Sequence, residues 1–191
     1  MFENFPYTLI LASKSPRRQY LLKEACFKFQ VRTFETDESF PEDLDSLKVA
    51  TYIARKKAAA YKPHLAGDEL VIVADTVVIL DNTVLGKPSD KNEAKEMLRA
   101  LSGQKHLVMT GVGLCSLKKE VFFEDSTFVY FKSLTEQEIE YYVDKYQPFD
   151  KAGAYGAQEW MGMVGVEKIE GSYFNVMGLP VHSLYEALKK F

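Results

Sequence analysis

Asp75 stands inside one of the most apolar stretches of the chain, Val71-Ile72-Val73-Ala74-Asp75-Thr76-Val77-Val78-Ile79. A carboxylate in such a run is costly to bury unless it is paired or bound to a metal. Asp75 is therefore either a hydrogen-bonded structural aspartate or a functional one. Its interruption of so strong a strand pattern favours function. A second chemically loaded segment is Ser13-Lys14-Ser15-Pro16-Arg17-Arg18. Ser15 can cap a helix, and Pro16 suits the first helical position because that position wastes no backbone donor. A helix N-terminus carries unpaired donors and partial positive charge, so two hydroxyls and two arginines beside it make an anion site. The same residues also describe an ordinary capped helix with solvated arginines. The segment is not a Walker loop, because the glycines and the Gly-Lys-Ser/Thr end are missing.

Other residues gain meaning only in company. Lys87 sits in Gly86-Lys87-Pro88, where glycine and proline can aim it at a phosphate or leave it solvated. Lys56 and Lys57 lie on an alanine-rich helical stretch. Lys57 falls one turn after Ile53, at the edge of the apolar face, where a snorkelling surface lysine is the common case. Asp37 and Glu38 belong to an acidic loop. They can join Asp75 around a divalent cation, since hard oxygen ligands suit magnesium or manganese, or they can simply be solvated. In Asp150-Lys151-Ala152-Gly153-Ala154-Tyr155-Gly156-Ala157-Gln158, small residues allow close backbone approach to a flat ligand. Gln158 there offers a donor and an acceptor suited to a base edge. A tightly packed turn is the alternative. The run Gly171 to Pro180 again joins small residues to a helix start. His64, His106 and His182 form no metal-spaced group and receive no role.

The elements that must position these residues alternate early. Tyr7–Ala12 reads as a buried strand, Pro16–Ala25 as a helix with Tyr20, Leu21, Leu22 and Ala25 on its apolar face, and Phe27–Phe34 as a strand. Residues 35–45 read as a loop and 46–61 as a helix. Leu70–Leu80 is dense in valine and isoleucine and reads as a strand, with Thr83–Leu85 pairing back after the Asp81-Asn82 turn. Ser89 or Asp90 caps a helix to about Leu101. His106–Leu117 and Val121–Lys132 form a hairpin. Thr135 to Glu138 is a capping-box pattern for a helix to about Lys145. Gly153–Gly178 mixes loops with a strand near Val164–Ile169, and a last helix runs over Val181–Lys190. This order predicts an α/β fold with a mixed sheet.

The chain has 191 residues and a formal charge of −3. That length suits one domain or two small lobes, and the acidic balance argues against a nucleic-acid binder. Cys26 and Cys115 sit apart in apolar runs and read as two buried free thiols, so a reducing compartment is expected. The N-terminal residues Met1-Phe2-Glu3-Asn4-Phe5-Pro6 show no basic leader, and no run of about 18 apolar residues predicts a membrane span. A cytoplasmic location follows as the expectation.

In order along the chain, Leu11-Ala12-Ser13-Lys14-Ser15-Pro16-Arg17-Arg18, Ala74-Asp75-Thr76-Val77, Gly86-Lys87-Pro88, Asp150-Lys151-Ala152-Gly153-Ala154-Tyr155 and Gly178-Leu179-Pro180 resemble the Maf family of nucleotide pyrophosphatases. The resemblance covers nearly the whole chain. It implies a single domain over residues 1–191, with a mixed sheet flanked by helices and two lobes around a deep central cleft, similar to the inosine triphosphate pyrophosphatases. It implies hydrolysis of a nucleoside triphosphate to monophosphate and pyrophosphate with Mg2+ or Mn2+, and a homodimer. It assigns Asp75 as general base, Glu38 as an acidic position near the metal, and Ser13, Arg18, Lys57 and Lys87 as phosphate contacts. Arg17, Thr76 and Gln158 resemble the specificity positions of the branch acting on dTTP and UTP. The chain departs from that branch at Ala157 and Glu159, where a bulky aliphatic residue and a glycine are common, so the departure acts on the base pocket. A nucleotide-binding regulator of cell division without hydrolysis is the alternative reading. Asp75 separates the two, because a mere binder gains nothing from a carboxylate facing a triphosphate.

Overall fold

The computed structural model describes residues 5–191, so Met1-Phe2-Glu3-Asn4, part of the stretch behind the expectation of no basic leader, lie outside the described residues. Strand β1 (Thr8–Leu11) leads into α1 (Pro16–Glu24), and β2 (Phe29–Val31) into α2 (Ser46–Tyr61). Then follow β3 (Glu69–Leu80), β4 (Thr83–Leu85), α3 (Lys91–Leu101), β5 (Lys105–Cys115), β6 (Glu120–Phe131) and α4 (Glu136–Tyr146). The last elements are α5 (Trp160–Gly165), β7 (Val166–Glu170), α6 (Tyr173–Val176) and α7 (Val181–Lys189). Hydrogen bonding joins seven strands in the order β2-β1-β3-β5-β6-β7, with β4 on β3. β1 runs parallel to both β2 and β3, whereas β4 and β7 pair antiparallel to β3 and β6. The mixed α/β sheet expected from the sequence is what forms.

The chain divides into two compact units. The first holds residues up to 75, 110–125 and 178–191; the second holds 76–109 and 126–177. The first unit's core includes Ile10, Ala58, Tyr61, Val71, Val73 and Cys115. The second has its own core, around Val78, Leu98, Val108, Val129, Phe131, Ile139, Tyr142, Tyr155 and Met161.

Local signals placed most elements correctly. Ser15 caps α1 with Pro16 in its first turn, Asp45 caps α2, Asp90 caps α3, and Thr135 with Glu138 closes a capping box on α4. Four expectations need correction. On α1, Leu21 and Leu22 are buried as expected, but Tyr20 and Ala25 are exposed and Arg18 is buried instead. The first strands are shorter than their apolar runs. Cys26 is exposed, and only Cys115 is a buried thiol. The reason is helix termination. Cys26 takes the left-handed position after α1 (φ 60), its N–H bonding Lys23 O and the Phe27 N–H bonding Leu22 O. That is a Schellman arrangement, which turns the residue outward. Finally, the segment 153–178, expected to be loops and one strand, also contains α5 and α6.

Candidate active site

β1 lies between β2 and β3 in the sheet, and the chain leaves it toward one side and returns on the other. Such a switch point leaves room beyond the carboxyl ends of the parallel strands, where open α/β sheets place their ligands. The ladder runs from Leu9↔Leu70 to Leu11↔Ile72, and the Ala12 N–H extends it to Ile72 O at 3.0 Å. Ser13 therefore emerges just past the end of β1, level with the stretch of β3 that carries Ala74 and Asp75.

Arg18 ties these ends together. Its Nε donates to Gly178 O at 2.7 Å, and its Nη1 donates to Ala74 O at 2.9 Å and to Ser13 Oγ at 3.4 Å. One guanidinium thus fixes the Ser13 turn, the approach to Asp75 and the Gly178 turn before α7. Gly178 has φ +111, a left-handed region that favours glycine. Burial pulls the Arg18 pKa down from its ordinary value and the Asp75 charge partly restores it. A guanidinium nevertheless keeps its proton in a protein. The Ser13 hydroxyl also accepts from the Ser15 N–H at 3.2 Å.

α2 brings the lysine. Val49, Ala50, Ile53, Ala54, Ala58 and Tyr61 form its buried face at helical spacing. Lys57 sits on the edge of that face, so its stem is covered and its ammonium reaches past it. The helix lies unusually close to β5, since a Cβ on Gly111 would fall 2.5 Å from Thr51 N and 2.6 Å from Ala50 C. Lys57 Nζ stands 2.6 Å from Asp75 Oδ1 and 2.8 Å from Glu38 Oε1. The Asp75 side chain is only 12% exposed and that of Glu38 is 44% exposed, so one partner is buried and the other reaches in from the loop.

Two carboxylate oxygens thus converge on one cationic point. They fit a hard divalent cation that takes its remaining ligands from phosphate and water, as magnesium usually does. They do not make an all-protein cage, because no cluster of three or more His, Cys, Asp or Glu side chains gathers among the described residues. Asp37 is directed elsewhere: it bonds Lys56 Nζ at 2.7 Å and Ser39 Oγ at 2.6 Å, which holds its carboxyl well below the usual range. Of the two acidic-loop residues, Glu38 is the one that pairs with Lys57.

The structure brings Ser13, Arg18, Lys57, Glu38 and Asp75 together in the first unit. Arg17 follows Pro16 on α1 and is half-buried. Thr76, Lys87 and Gln158 belong to the second unit. Thr76 is half-buried on β3, and Lys87 is exposed between Gly86, whose carbonyl accepts from the Gly153 N–H at 3.0 Å, and buried Pro88. Gln158 is exposed in the turn before α5. Around that turn lies a polar cluster whose pairing the residue pattern did not disclose: Lys151, Glu159 and Tyr142. Lys151 is 7% exposed, and only its place inside the Asp150–Gln158 motif could have singled it out. His106 is buried against Tyr155, consistent with a packing residue rather than a reactive one.

The family model described as "Maf-like protein" matches residues 8–191. The chain belongs to the Maf family. This Maf protein is 51% identical, over its full length and the full length of the relative, to a protein of Parabacteroides distasonis named dTTP/UTP pyrophosphatase. A protein of the same name from Bacteroides thetaiotaomicron is 51% identical over 96% of each chain. Among solved structures, a HAM1 protein from Coxiella burnetii superposes with a TM-score of 0.51 at 13% identity, covering 97% of this Maf chain and 100% of the other. That likeness concerns the fold alone.

Proposed function

We propose that this Maf protein hydrolyses dTTP and UTP to the nucleoside monophosphate and pyrophosphate. Two things support the reading together: its half-identical relatives carry that name, and Lys57 gathers Asp75 and Glu38 beside the Ser13 turn. The second observation supports the chemistry, because a buried carboxylate, an ammonium and the start of a helix are the groups such a hydrolysis needs.

In the proposed reaction the triphosphate meets the turn after β1, where Ser13 and the backbone donors at the start of α1 grip phosphate oxygens. Arg18 holds that turn in place and adds positive charge beneath it. Water attacks the α-phosphorus, and Asp75 orients it and takes its proton. Lys57 and Lys87 offset the charge that grows on the departing pyrophosphate. Glu38 and Asp75 are the residues that would hold Mg2+ or Mn2+, which when bound would polarise the phosphate oxygens. Arg17, Thr76 and Gln158 are proposed to select the nucleotide, with the Gln158 amide reading the base edge.

A panel of dTTP, UTP, CTP and GTP assayed for pyrophosphate release, with magnesium and with a chelator, tests this. Release from dTTP and UTP that outpaces the other two and stops with the chelator is the expected result. Orthophosphate as the first product, or equal rates on all four without metal, would overturn it.

A further inference from the structure

The turn that carries Gln158 is held by an ionic clamp around the buried Lys151. Lys151 Nζ lies 3.0 Å from Glu159 Oε1 and 2.6 Å from Asp150 Oδ1. Tyr142, on α4, donates to Glu159 Oε2 at 2.5 Å and accepts from the Gly156 N–H at 3.0 Å. Glu159 thus ties the end of the segment to its start through Lys151, and to its middle through Tyr142. The fit is tight: a Cβ on Gly156 would fall 2.9 Å from Glu159 Cδ and 3.1 Å from Lys151 Cε. From the other side α5 presses on the same turn, since a Cβ on Gly162 would fall 2.1 Å from Ala157 O. Both neighbours of Gln158 are fixed while its own side chain is exposed.

The clamp is a poor device for stability alone. Burying the Lys151 ammonium beside a half-buried carboxylate costs desolvation, and apolar replacements of buried ion pairs are often as stable or better. What a clamp gives is geometry. A glutamine amide can offer donor and acceptor in either order by turning over, and so can match uracil, which has N3–H and O4, or cytosine, which has N3 and N4–H. Discrimination therefore depends on how the amide is presented, and a shift of about 1 Å is enough to lose a hydrogen bond.

We infer that Glu159, acting through Lys151 and Tyr142, is a positioning residue that sets how Gln158 meets the pyrimidine and thereby governs nucleotide selectivity. This rests on the reading of the protein as a pyrimidine triphosphate pyrophosphatase. The departure from the family pattern at Glu159 becomes part of the base-reading apparatus instead of a flaw in it.

The experiment measures kcat and KM for dTTP and CTP in the wild type, Gln158→Ala, Glu159→Ala, Glu159→Gln and Tyr142→Phe. Glu159→Ala should lower the dTTP-over-CTP ratio of kcat/KM by about tenfold, the scale of one weakened polar contact, and chiefly through the dTTP KM. Glu159→Gln, which keeps an acceptor for Tyr142, should recover most of the ratio. Tyr142→Phe leaves the ring in the core and should give a smaller drop of the same kind, which covers the case in which Glu159→Ala fails to fold. An unchanged ratio in Glu159→Ala, or in Tyr142→Phe where only that variant folds, overturns the inference alone. So does an equal loss of kcat on both nucleotides with the ratio intact. A wild type that releases no pyrophosphate from dTTP overturns the functional reading, and the inference with it.

Discussion

At the scale of single residues, the site is built on one buried arginine and one lysine. Arg18 serves three acceptors, Gly178 O, Ala74 O and Ser13 Oγ, from two of its nitrogens. Lysine has one nitrogen and no planar fork, so it cannot reach all three. Arg18→Lys should therefore leave buried carbonyls unpaired and lower stability by about 1–3 kcal/mol in urea unfolding. A variant as stable as the wild type would show that the tie is dispensable. Asp75 was legible as an anomaly because a carboxylate interrupts an apolar strand. Its partner was not. Nothing in the spacing of Lys57 distinguishes an ammonium that reaches two carboxylates from one that ends in water. The choice depends on where Glu38 comes to rest, which the long loop 32–45 decides. Glu159 stood out as a departure from the branch pattern, but its pairing with Lys151 was not legible, because α4 has to supply Tyr142 before the two are drawn together.

At the scale of elements, caps and periodicity were the reliable signals. Helix α2 forms over the expected residues because Asp45 accepts from the Leu47 N–H at 3.0 Å and an alanine-rich face follows. The apolar run around Cys26 misled, because a helix end needing a left-handed residue turned an apolar position outward. Helices α5 and α6 escaped because they are only six and four residues long and lie among glycines. The placement of α2 on β5 was equally invisible, although it decides where Lys57 ends. Gly111 makes that approach possible. Gly111→Ala would force the helix backbone away, and should cost about 1–3 kcal/mol while weakening turnover. Gly67→Ala meets nothing within 4 Å among the described residues and is the control, expected to be near neutral. Equal effects of the two substitutions in thermal unfolding would contradict the packing argument.

At the scale of the whole molecule, global stability should carry the signature of a buried histidine. His106 bonds Tyr155 Oη through Nε2 at 2.8 Å, and its Nδ1 is buried with no partner among the described residues. Protonation would place an unpaired N–H there, and burial pushes the imidazole down to about 4 from 6.5. Between those values the unfolded chain binds the extra proton, so stability rises with pH across the window. It is complete above pH 6.5 and is lost as pH falls toward 4. About 2 kcal/mol should disappear between pH 7 and pH 5 on this account alone. His106→Gln should flatten that slope, and an unchanged slope in urea titrations at the two pH values would sink the assignment. In the proposed reaction a buried carboxylate at the end of a parallel strand pair, Asp75, drives hydrolysis at the α-phosphorus. The most direct test is Asp75→Asn with dTTP and magnesium, following dTMP and pyrophosphate together. The wild type should form the two in equal amounts, and the variant should lose roughly 10²–10⁴-fold in rate with its circular dichroism and melting point retained. A well-folded Asp75→Asn protein that turns over dTTP at the wild-type rate would contradict the account.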